Sequence, residues 1–493
     1  MLRKIRIAAA LVCFVGITLL FLDFTGTLHA WLGWLAKAQF LPAVLAVDAG
    51  IVAVLVVLTL LFGRLYCSVI CPLGVMQDFF GHAGRRHKKH RYAYSPARTW
   101  LRRGMLALFV VGLLAHAAGL VALLAPYSAY GRIVQNLLAP LYGWGNNLLA
   151  YVAERVGSYA FYPTVVWVRS WAVFAVAVAT LAVVGVLAWR NGRTWCNTVC
   201  PVGTVLGFLA KYSLFRPVID PSKCNGCQLC ARNCKAACID TANHRIDHSR
   251  CVACMDCLDR CHRGAIAYTW RRTPKPTSAP DTAAADPSRR RFLGVLGLFA
   301  YAAARAQGKK VDGGLAVIER KQVPARRVPL VPAGAQSAKH FAVHCIGCQL
   351  CVAACPNQVL RPSAGLMTLL QPEMSYERGY CRPECTRCAE VCPTDAIRTI
   401  DAAEKSSIQI GHAVWLRANC VPLTDGVECG NCARHCPAGA IAMISSDPDT
   451  ADAPKIPVVN EERCIGCGAC EQLCPARPFS AIYVEGHAHH RTI

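Results

Sequence analysis

Six groups of four cysteines, between residues 224 and 474, share one spacing pattern. Four groups read Cys-x2-Cys-x2-Cys-x3-Cys, and the other two differ from it only between the first and second cysteine. Such a run places three cysteines on one [4Fe–4S] cluster and the fourth on a neighbouring cluster. Iron in such clusters is bound by soft thiolate ligands, which explains the residue type. The spacing therefore predicts six [4Fe–4S] clusters.

The cysteine total argues against a disulfide framework and against zinc. The chain has 493 residues and 30 cysteines, of which the six groups use 24 and two Cys-x3-Cys-Pro motifs use four. Only Cys13 and Cys238 remain. A disulfide framework is typical of small secreted domains and would not repeat one spacing so often. Zinc sites also use four cysteines, but two successive ferredoxin-type runs favour iron–sulfur clusters.

The first two groups are expected to form a dicluster ferredoxin. We expect one cluster on Cys224, Cys227, Cys230 and Cys261 and another on Cys251, Cys254, Cys257 and Cys234. Lys235 and His262 stand where a proline usually follows the fourth cysteine. Cys238 is an alternative to Cys234 as a ligand, and otherwise it is a buried free thiol.

The remaining four groups each end in Cys-Pro, where the fixed φ of proline turns the chain away from the cluster. The second and third of these groups have the looser spacings, so we expect them to pair with each other and the first to pair with the fourth. This nested order resembles that of four-cluster ferredoxin subunits. The expected ligand sets are Cys345, Cys348, Cys351 and Cys474; Cys464, Cys467, Cys470 and Cys355; Cys381, Cys385, Cys388 and Cys436; and Cys420, Cys429, Cys432 and Cys392.

Long apolar runs dominate the first 190 residues. A transmembrane helix needs about 20 consecutive apolar residues. Four stretches meet this requirement: 5–22, 44–63, 104–124 and 170–189. Segment 28–43 is rich in tryptophan and contains Pro42, so it is expected to be an interfacial helix and not a span.

The positive charge of the chain is best understood through a membrane. A formal net charge of +24 would suggest a nucleic-acid partner in a soluble protein. Here the loop 81–104 is densely basic without an acidic residue, whereas the opposite loop, 125–169, carries little charge. Because cytoplasmic loops are enriched in lysine and arginine, residues 64–103 and those just after 189 are expected in the cytoplasm. We therefore expect membrane lipid, and no nucleic acid, as a partner.

Two Cys-x3-Cys-Pro motifs, one with Cys67 and Cys71 and one with Cys196 and Cys200, follow the second and fourth apolar runs. Both are preceded by Gly-Arg and followed by a glycine, so they form an internal repeat. These cysteines are redox candidates. Together they could form a four-thiol metal or redox site, or each pair could be a dithiol switch. Packing of small residues between helices is a third interpretation.

Residues 272–310 combine a Pro/Ala/Thr-rich linker with an export motif. The sequence SRRRFLG, with Arg289 and Arg290, precedes a short apolar run and Ala304-Arg305-Ala306. It resembles a twin-arginine translocation signal placed inside the chain. Such export carries folded cargo, so the following clusters are expected outside the cytoplasm. The run is short for a span; retention as a fifth span and cleavage after Ala306 both remain open.

These observations divide the chain into four parts. We expect an α-helical membrane domain of four spans at 1–215 and a cytoplasmic dicluster ferredoxin at 216–271, then the linker and signal at 272–310. A periplasmic four-cluster ferredoxin domain follows at 311–493. The ferredoxin parts should have the α+β fold of bacterial ferredoxins, and the whole should be a multi-pass protein of the inner (cytoplasmic) membrane.

Two transmembrane halves, each ending in Cys-x3-Cys-Pro before a dicluster ferredoxin, resemble the membrane quinol dehydrogenase of periplasmic nitrate-reductase systems. The same unit is known in regulators of nitrous-oxide reductase and in a copper-reducing accessory protein of cytochrome oxidase assembly. Residues 288–480 resemble the twin-arginine-exported four-cluster partner of the nitrate-reductase module. The resemblance implies a natural fusion that passes electrons from the membrane quinone pool to a periplasmic redox acceptor. Whether the chain is itself a quinol dehydrogenase stays open.

Several cofactors are not expected. The sequence has no Cys-x2-Cys-His for haem c, no G-x-G-x-x-G or Walker loop for NAD or nucleotides, and no threonine signature for covalent flavin. Quinol is expected near ionisable groups inside the membrane. The candidates are Asp23, His29, Asp48 and His116, although helix capping or snorkelling accounts for each of them equally well.

The leading hypothesis is thus an electron conduit from quinol, or from a cytoplasmic donor, to periplasmic clusters. The second is an assembly or maturation factor that reduces a metal or a thiol of a partner, which the Cys-x3-Cys-Pro pairs favour. A third has electrons running inward, or between a cytoplasmic ferredoxin and quinone.

Overall fold

The computed structural model describes residues 1–87, 92–270, 319–365, 368–450 and 453–493. The predicted twin-arginine signal, with its cleavage or retention as a fifth span, lies outside these ranges. Within them, a helical unit over residues 1–214 is followed by two cysteine-rich units, at 215–270 and 319–493. We call these two units the first and the second ferredoxin unit.

The helical unit begins with α1 (Leu2–Leu22), an apolar helix without proline. It ends at Asp23, whose carboxylate accepts the backbone N–H groups of Gly26 and Leu28, each at 2.8 Å. The later helices are α2 (Thr27–Leu32), α3 (Trp34–Lys37), α4 (Phe40–Leu45), α5 (Ala49–Phe62), α6 (Leu65–Val69), α7 (Pro72–His87), α8 (Thr99–Leu114), α9 (Ala118–Leu124), α10 (Pro126–Ile133), a π-helical turn (Val134–Leu138), α11 (Ala139–Arg155), α12 (Trp171–Asn191), α13 (Thr194–Thr198) and α14 (Pro201–Ala210).

In the part of the chain that the structure describes, two helices are long and apolar enough to cross a membrane, α1 and α12. The first contains the predicted run 5–22, and the second contains all of the predicted run 170–189 except Ser170. The other two predicted runs are interrupted. A turn at Val47, with φ 55°, precedes α5, and His116, with φ 54°, separates α8 from α9. Because residues with a side chain rarely adopt positive φ, neither break was visible in the apolar pattern.

Two other segments differ from expectation. Segment 28–43 lies in three short helices, α2 to α4, instead of one interfacial helix. Pro42 does not end a helix, since it lies in the first turn of α4, where its missing N–H leaves no bond unmade. The segment 125–169, predicted as a loop, is helical from Pro126 to Arg155.

The first ferredoxin unit alternates short helices with antiparallel strands. Strand β1 (Phe215–Ile219) pairs with β4 (Ile266–Trp270), and β2 (Ile239–Asp240) forms a hairpin with β3 (Arg245–Ile246). Helices α15 (Leu229–Asn233) and α16 (Asp256–Arg260) each follow one cysteine loop. This is the small α+β arrangement that the cysteine spacing predicts for a ferredoxin.

The second ferredoxin unit repeats this arrangement twice. It contains α17 (Ala338–His344), α18 (Leu350–Ala354), β5 (Leu360–Pro362), β6 (Pro372–Met374), α19 (Arg387–Glu390), α20 (Ala402–Ser407), β7 (Ile408–Trp415), a 3₁₀ turn (Arg417–Asn419), α21 (Val421–Thr424), α22 (Asn431–Arg434), β8 (Ile441–Ser445), β9 (Lys455–Val459), α23 (Ala469–Leu473) and β10 (Ile482–Thr492). Strands β5 and β6 form a hairpin, as do β8 and β9. The longer antiparallel pair of β7 with β10 joins the two halves.

The two ferredoxin units contact opposite ends of α1. Near its start, Arg3 Nε lies 2.8 Å from Asp256 Oδ1 of the first unit. Near its end, Phe21 and the Cys348 carbonyl of the second unit both pack against Gly131, where an added Cβ would overlap them. Since a helix rises about 1.5 Å per residue, the 21 residues of α1 form a helix about 31 Å long, and Arg3 and Phe21 lie about 27 Å apart along it.

Candidate iron–sulfur sites

The first ferredoxin unit brings its eight motif cysteines together in two sets. Set A consists of Cys224, Cys227, Cys230 and Cys261, and set B of Cys251, Cys254, Cys257 and Cys234. In set A, burial and then the neighbouring thiols of Cys227 and Cys261 raise the pKa of Cys230 to about 11. In set B, all four cysteines line one small cavity. Four convergent thiols are the donor set that a [4Fe–4S] cluster requires, so both sets fit that group.

Cys238 lies in the same cavity as set B. Its Sγ is 3.5 Å from Cys234 Sγ, and its side chain is only 1% exposed. Two sulfurs at this distance cannot both bind different corners of one cluster, but an S–H group of one can donate to the thiolate of the other. One of Cys234 and Cys238, and not both, therefore supplies the fourth ligand.

The nested pairing predicted for the second ferredoxin unit is wrong. Cys474 lines a cavity with Cys420, Cys429 and Cys432, where Cys392 was expected. Cys436 lines another with Cys464, Cys467 and Cys470, where Cys355 was expected. In the other two sets, Cys392 takes the place predicted for Cys474, and Cys355 takes the place predicted for Cys436. Cys392 lies beside Cys345, Cys348 and Cys351, and Cys355 lies beside Cys381 and Cys388.

The reason is that a hairpin separates the groups that pair. Strands β5 and β6 fold the chain back between the first and second groups, and β8 and β9 do so between the third and fourth. Closing such a short loop costs less entropy than closing a long one. The looser spacings only lengthen one local loop, and they carry no information about the partner.

The observed sets form a series of neighbours, of which the first two contact the helical unit. We name them set C (Cys345, Cys348, Cys351, Cys392), set D (Cys381, Cys385, Cys388, Cys355), set E (Cys464, Cys467, Cys470, Cys436) and set F (Cys420, Cys429, Cys432, Cys474). Set C touches the helical unit, since Ser128 Oγ donates to the Ile346 carbonyl at 2.5 Å. Sets D and E adjoin, because the Cys381 N–H donates to the Cys467 carbonyl at 2.9 Å. Set F shares the last dicluster half with set E.

Lys405 is a residue that the spacing did not reveal. Its Nζ lies 3.2 Å from Cys381 Sγ, and the side chain also donates to the Arg382 carbonyl at 2.6 Å. The residue is 6% exposed. A buried positive charge beside a ligand sulfur stabilises the reduced, more negative state of a cluster. Lys405 is therefore placed to raise the reduction potential at set D.

The four cysteines of the Cys-x3-Cys-Pro pairs are all buried, at 4–5% exposure, and none forms a disulfide. The two repeats meet around them, and each repeat extends an arginine into the other. Arg64 Nη2 donates to the Cys196 carbonyl at 3.2 Å, and Arg193 Nη1 donates to the Cys67 carbonyl at 2.6 Å. The structure thus brings the two predicted pairs together at one place.

Of the four quinol candidates, the structure joins two. Asp23 Oδ2 lies 3.3 Å from His29 Nδ1, and His29 Nε2 is buried without a hydrogen-bond partner. Asp48 Oδ1 accepts the Ile51 N–H at 3.0 Å and so caps α5. His116 is exposed at the break between α8 and α9. Helix capping explains why Asp48 is at its position. In the Asp23–His29 pair, by contrast, the Nε2 of His29 has no hydrogen-bond partner.

A cavity between the helical unit and the second ferredoxin unit was not predicted. Aromatic and polar side chains line it, among them Phe21, Phe24, Gln135, Asn136, Tyr142, Trp167, Arg169 and Gln349. Gln349 directly follows Cys348 of set C in the chain, and its buried Nε2 has no hydrogen-bond partner. Because the lining comes from four distant segments, no local motif could have indicated this cavity.

No group of three or more His, Cys, Asp or Glu side chains within the described ranges is arranged to hold a single metal ion. This applies to the cysteine sets as well. The four thiolates of a [4Fe–4S] cluster bind four different irons around a cube, so they lie further apart than the ligands of one ion.

Two families match the chain. The family described as "4Fe-4S binding domain" matches residues 49–91 and 171–220, the two repeats that carry Cys-x3-Cys-Pro. The family described as "4Fe-4S dicluster domain" matches residues 344–396 and 427–477. The latter two matches divide the four groups of the second ferredoxin unit as the structure does, first with second and third with fourth.

Individual relatives cover parts of the chain. It is 34% identical over 186 residues to the methylamine utilization ferredoxin-type protein MauM of Paracoccus denitrificans, covering 35% of this chain and 79% of that protein. It is 33% identical over 202 residues to the ferredoxin-type protein NapG of Haemophilus influenzae, covering 39% and 69%.

A match to an uncharacterized protein of Methanocaldococcus jannaschii, 34% identical over 96 residues, covers 20% of this chain and only 38% of that protein. No solved structure matches. The cysteine sets and the extent of the MauM and NapG matches lead to one conclusion: the chain belongs to the ferredoxin-type iron–sulfur proteins and transfers electrons through [4Fe–4S] clusters.

Proposed function

We propose that this chain is an integral membrane protein that accepts electrons from quinol and delivers them, through the second ferredoxin unit, to a redox protein in the periplasm. In this account sets A to F each hold one [4Fe–4S] cluster. The observation that carries the proposal is the attachment of the two ferredoxin units to opposite ends of an apolar helix about 31 Å long. That length matches the hydrocarbon thickness of a bilayer.

The helical unit has the surface that lipid requires. Apolar side chains of α1 point outward and are exposed, among them Leu11, Val12 and Val15, and those of α8 and α12 do the same. In the described part of the basic loop, the Tyr92 and Ser95 N–H groups donate to carbonyls of the first ferredoxin unit at 3.2 and 3.3 Å. Positive-inside bias then puts this unit in the cytoplasm and the second one in the periplasm. Four spans remain part of this proposal, with α5 and α8–α9 as the two interrupted ones.

Quinol is proposed to bind in the cavity beside set C. Aromatic side chains such as Tyr142 and Trp167 would hold an apolar ring, and the free amide of Gln349 would donate to a quinone oxygen. The Asp23–His29 pair lies at the same end of α1, and its unpartnered Nε2 can accept a proton from quinol. Electrons would enter at set C and leave from set F, the outermost set.

The membrane quinone pool also accounts for how two separate cluster groups can work together. A direct electron transfer over the length of α1 is too slow, because tunnelling decays steeply with distance. A carrier that diffuses in the lipid can react at either end. As the resemblance to nitrate-reductase modules implies and the similarity to NapG supports, the acceptor is proposed to be a periplasmic reductase or its electron carrier.

The alternative, an accessory reductase that acts on a metal or thiol of a partner, has less support. The four Cys-x3-Cys-Pro thiols are at most 5% exposed, so a partner protein cannot reach them. The four additional sets of the second ferredoxin unit also have no role in a simple thiol reductase.

The test is reduction of the full-length protein by a soluble quinol analogue in detergent, followed by EPR of the clusters. Gly143→Leu narrows the cavity, because a Cβ there already lies 2.6 Å from Val166. Gly145→Leu is the matched control two residues along α11, where nothing lies within 4 Å. We expect quinol to reduce clusters in the parent and the control, and at least tenfold more slowly in Gly143→Leu. Failure of quinol to reduce any cluster that dithionite reduces would refute the proposal.

A further inference from the structure

The internal repeat places four cysteines of unassigned function around one point. Each second cysteine precedes the first turn of a helix, and its sulfur accepts a backbone N–H there: Cys200 Sγ accepts from Gly203 at 3.3 Å, and Cys71 accepts from Gly74. Amide N–H groups directed at sulfur stabilise the thiolate form. The two pairs therefore share one geometry, related by the symmetry of the repeat.

Two arginines are buried at this point without any exposure, Arg64 and Arg193. Arg193 has a carboxylate partner, since its Nε lies 2.8 Å from Asp78 Oδ1. Arg64 has no carboxylate partner among the ion pairs of the described residues, and its Nε has no hydrogen bond. Its Nη2 instead lies 3.7 Å from Cys67 Sγ.

A buried guanidinium without an anion is costly, because removing a charge from water is offset only by a paired charge. The nearest groups that can become negative are the thiols of the repeat. Neutral thiols do not compensate Arg64, whereas thiolates do. Metal binding removes the thiol protons, so a metal–thiolate group at this place supplies the missing negative charge.

The four thiols also lie next to set B. Arg64 Nη1 donates to the Ser249 carbonyl at 3.3 Å, two residues before Cys251. Asn197 Nδ2 donates to the Ala236 carbonyl at 3.3 Å, two residues after Cys234. Both contacts join the repeat to the loops that carry set B. A cluster at this place would be the next carrier between the first ferredoxin unit and the membrane.

We propose that Cys67, Cys71, Cys196 and Cys200 together bind an additional iron–sulfur cluster, held between the two halves of the repeat and compensated by Arg64. As in the ferredoxin sets, the four thiols are not arranged for a single ion. The match of residues 49–91 and 171–220 to a family described as a 4Fe-4S binding domain agrees with this assignment. The inference does not depend on quinol as the electron donor.

The direct test is iron and acid-labile sulfide per chain in full-length protein, isolated without oxygen. The double variant Cys67→Ser/Cys196→Ser should lose about four irons and four sulfides per chain, with the signals of the ferredoxin sets retained. Cys13→Ser is the control, since Cys13 is a half-buried thiol of α1 outside every set, and it should lose none. Unchanged iron in the double variant, or a Cys67–Cys71 disulfide in the parent, would overturn the proposal.

A second variant covers the case in which the double variant does not fold. Arg64→Gln keeps all four thiols and removes the buried positive charge. We expect unchanged iron and more negative reduction potentials for two clusters, set B and the additional one, because Arg64 also acts on Cys251 of set B and a nearby cation stabilises the reduced state. A shift of set B alone, or of no cluster, would contradict the assignment.

Discussion

Asp78 is the carboxylate through which the helical unit holds the first ferredoxin unit. Its oxygens lie 2.8 Å from Arg193 Nε, 2.9 Å from Lys235 Nζ and 3.3 Å from Arg6 Nη1. Burial opposes its ionisation, but the charges of Arg193 and Lys235 hold the pKa of Asp78 well below its usual range. Asp78→Asn therefore removes one negative charge from three partly or fully buried cations.

The expected cost follows from this arrangement. Removing one partner of a buried ion pair costs about 3–5 kcal/mol. Lys235 keeps a second partner, Asp256, at 3.2 Å, so we expect the lower end, about 3 kcal/mol. Because about 1.4 kcal/mol is a tenfold change in an equilibrium constant, the interface should open about a hundred times more often. A carboxylate with a lowered pKa contributes fully above its unfolded value of about 3.9, and this contribution is lost only as the pH falls through the folded pKa.

Hydrogen–deuterium exchange in detergent measures this opening. Backbone amides of Tyr92, Ser95 and Arg193 donate across the interface to carbonyls in residues 232–237, at 3.2, 3.3 and 2.7 Å. At pH 7 these amides should exchange about a hundred times faster in Asp78→Asn. The control is Asp220→Asn.

Asp220 lies in the same ferredoxin unit and contacts only exposed groups, with Lys223 Nζ at 3.8 Å. Its replacement should leave the exchange of the three amides unchanged. Equal protection in Asp78→Asn and in the parent would refute the view that this carboxylate holds the unit in place.

Three further variants test other contacts. Gly131→Val should detach the second ferredoxin unit from the helical unit, because a side chain there overlaps both surfaces; cross-linking between the units would fall, whereas Gly145→Val, in open space, should leave it unchanged. Lys405→Met should lower the reduction potential of one cluster in an EPR redox titration and leave the iron content intact. Cys238→Ala should keep the iron of set B, whereas Cys234→Ala should lose it; the reverse result would make Cys238 the ligand.

The sequence was most informative where chemistry is local. Cysteine spacing within one loop predicted which three thiols converge, because that loop is only a few residues long. The pairing of groups depends instead on the hairpins between them. Strands β5 and β6 are three residues each, too short for an alternating pattern to be recognised in the sequence. Short hairpins therefore decided a pairing that spacing could not.

The same limit applies to the helical unit. Apolar content predicted the position of α1 and α12, but the turns at Val47 and His116 depend on backbone angles that no residue type signals there. For the arginines of the two repeats, the sequence pattern was visible but their partners were not. Gly-Arg before each Cys-x3-Cys-Pro motif was visible as a repeat in the sequence. Only the folded structure shows that Arg64 reaches the Cys196 carbonyl of the second repeat and that Arg193 reaches the Cys67 carbonyl of the first.

The central claim, that the two ferredoxin units face opposite sides of a membrane, has a direct test. Lys455 of the second unit and Lys223 of the first are both exposed. Intact spheroplasts are treated with a membrane-impermeant lysine reagent, and the labelled residues are identified by mass spectrometry. Of these two lysines, we predict labelling of Lys455 but not of Lys223 in intact spheroplasts, labelling of Lys223 only after the membrane is opened, and protection of both in Arg289→Lys/Arg290→Lys. Labelling of Lys223 in intact spheroplasts, or protection of Lys455 in the parent, would contradict the account.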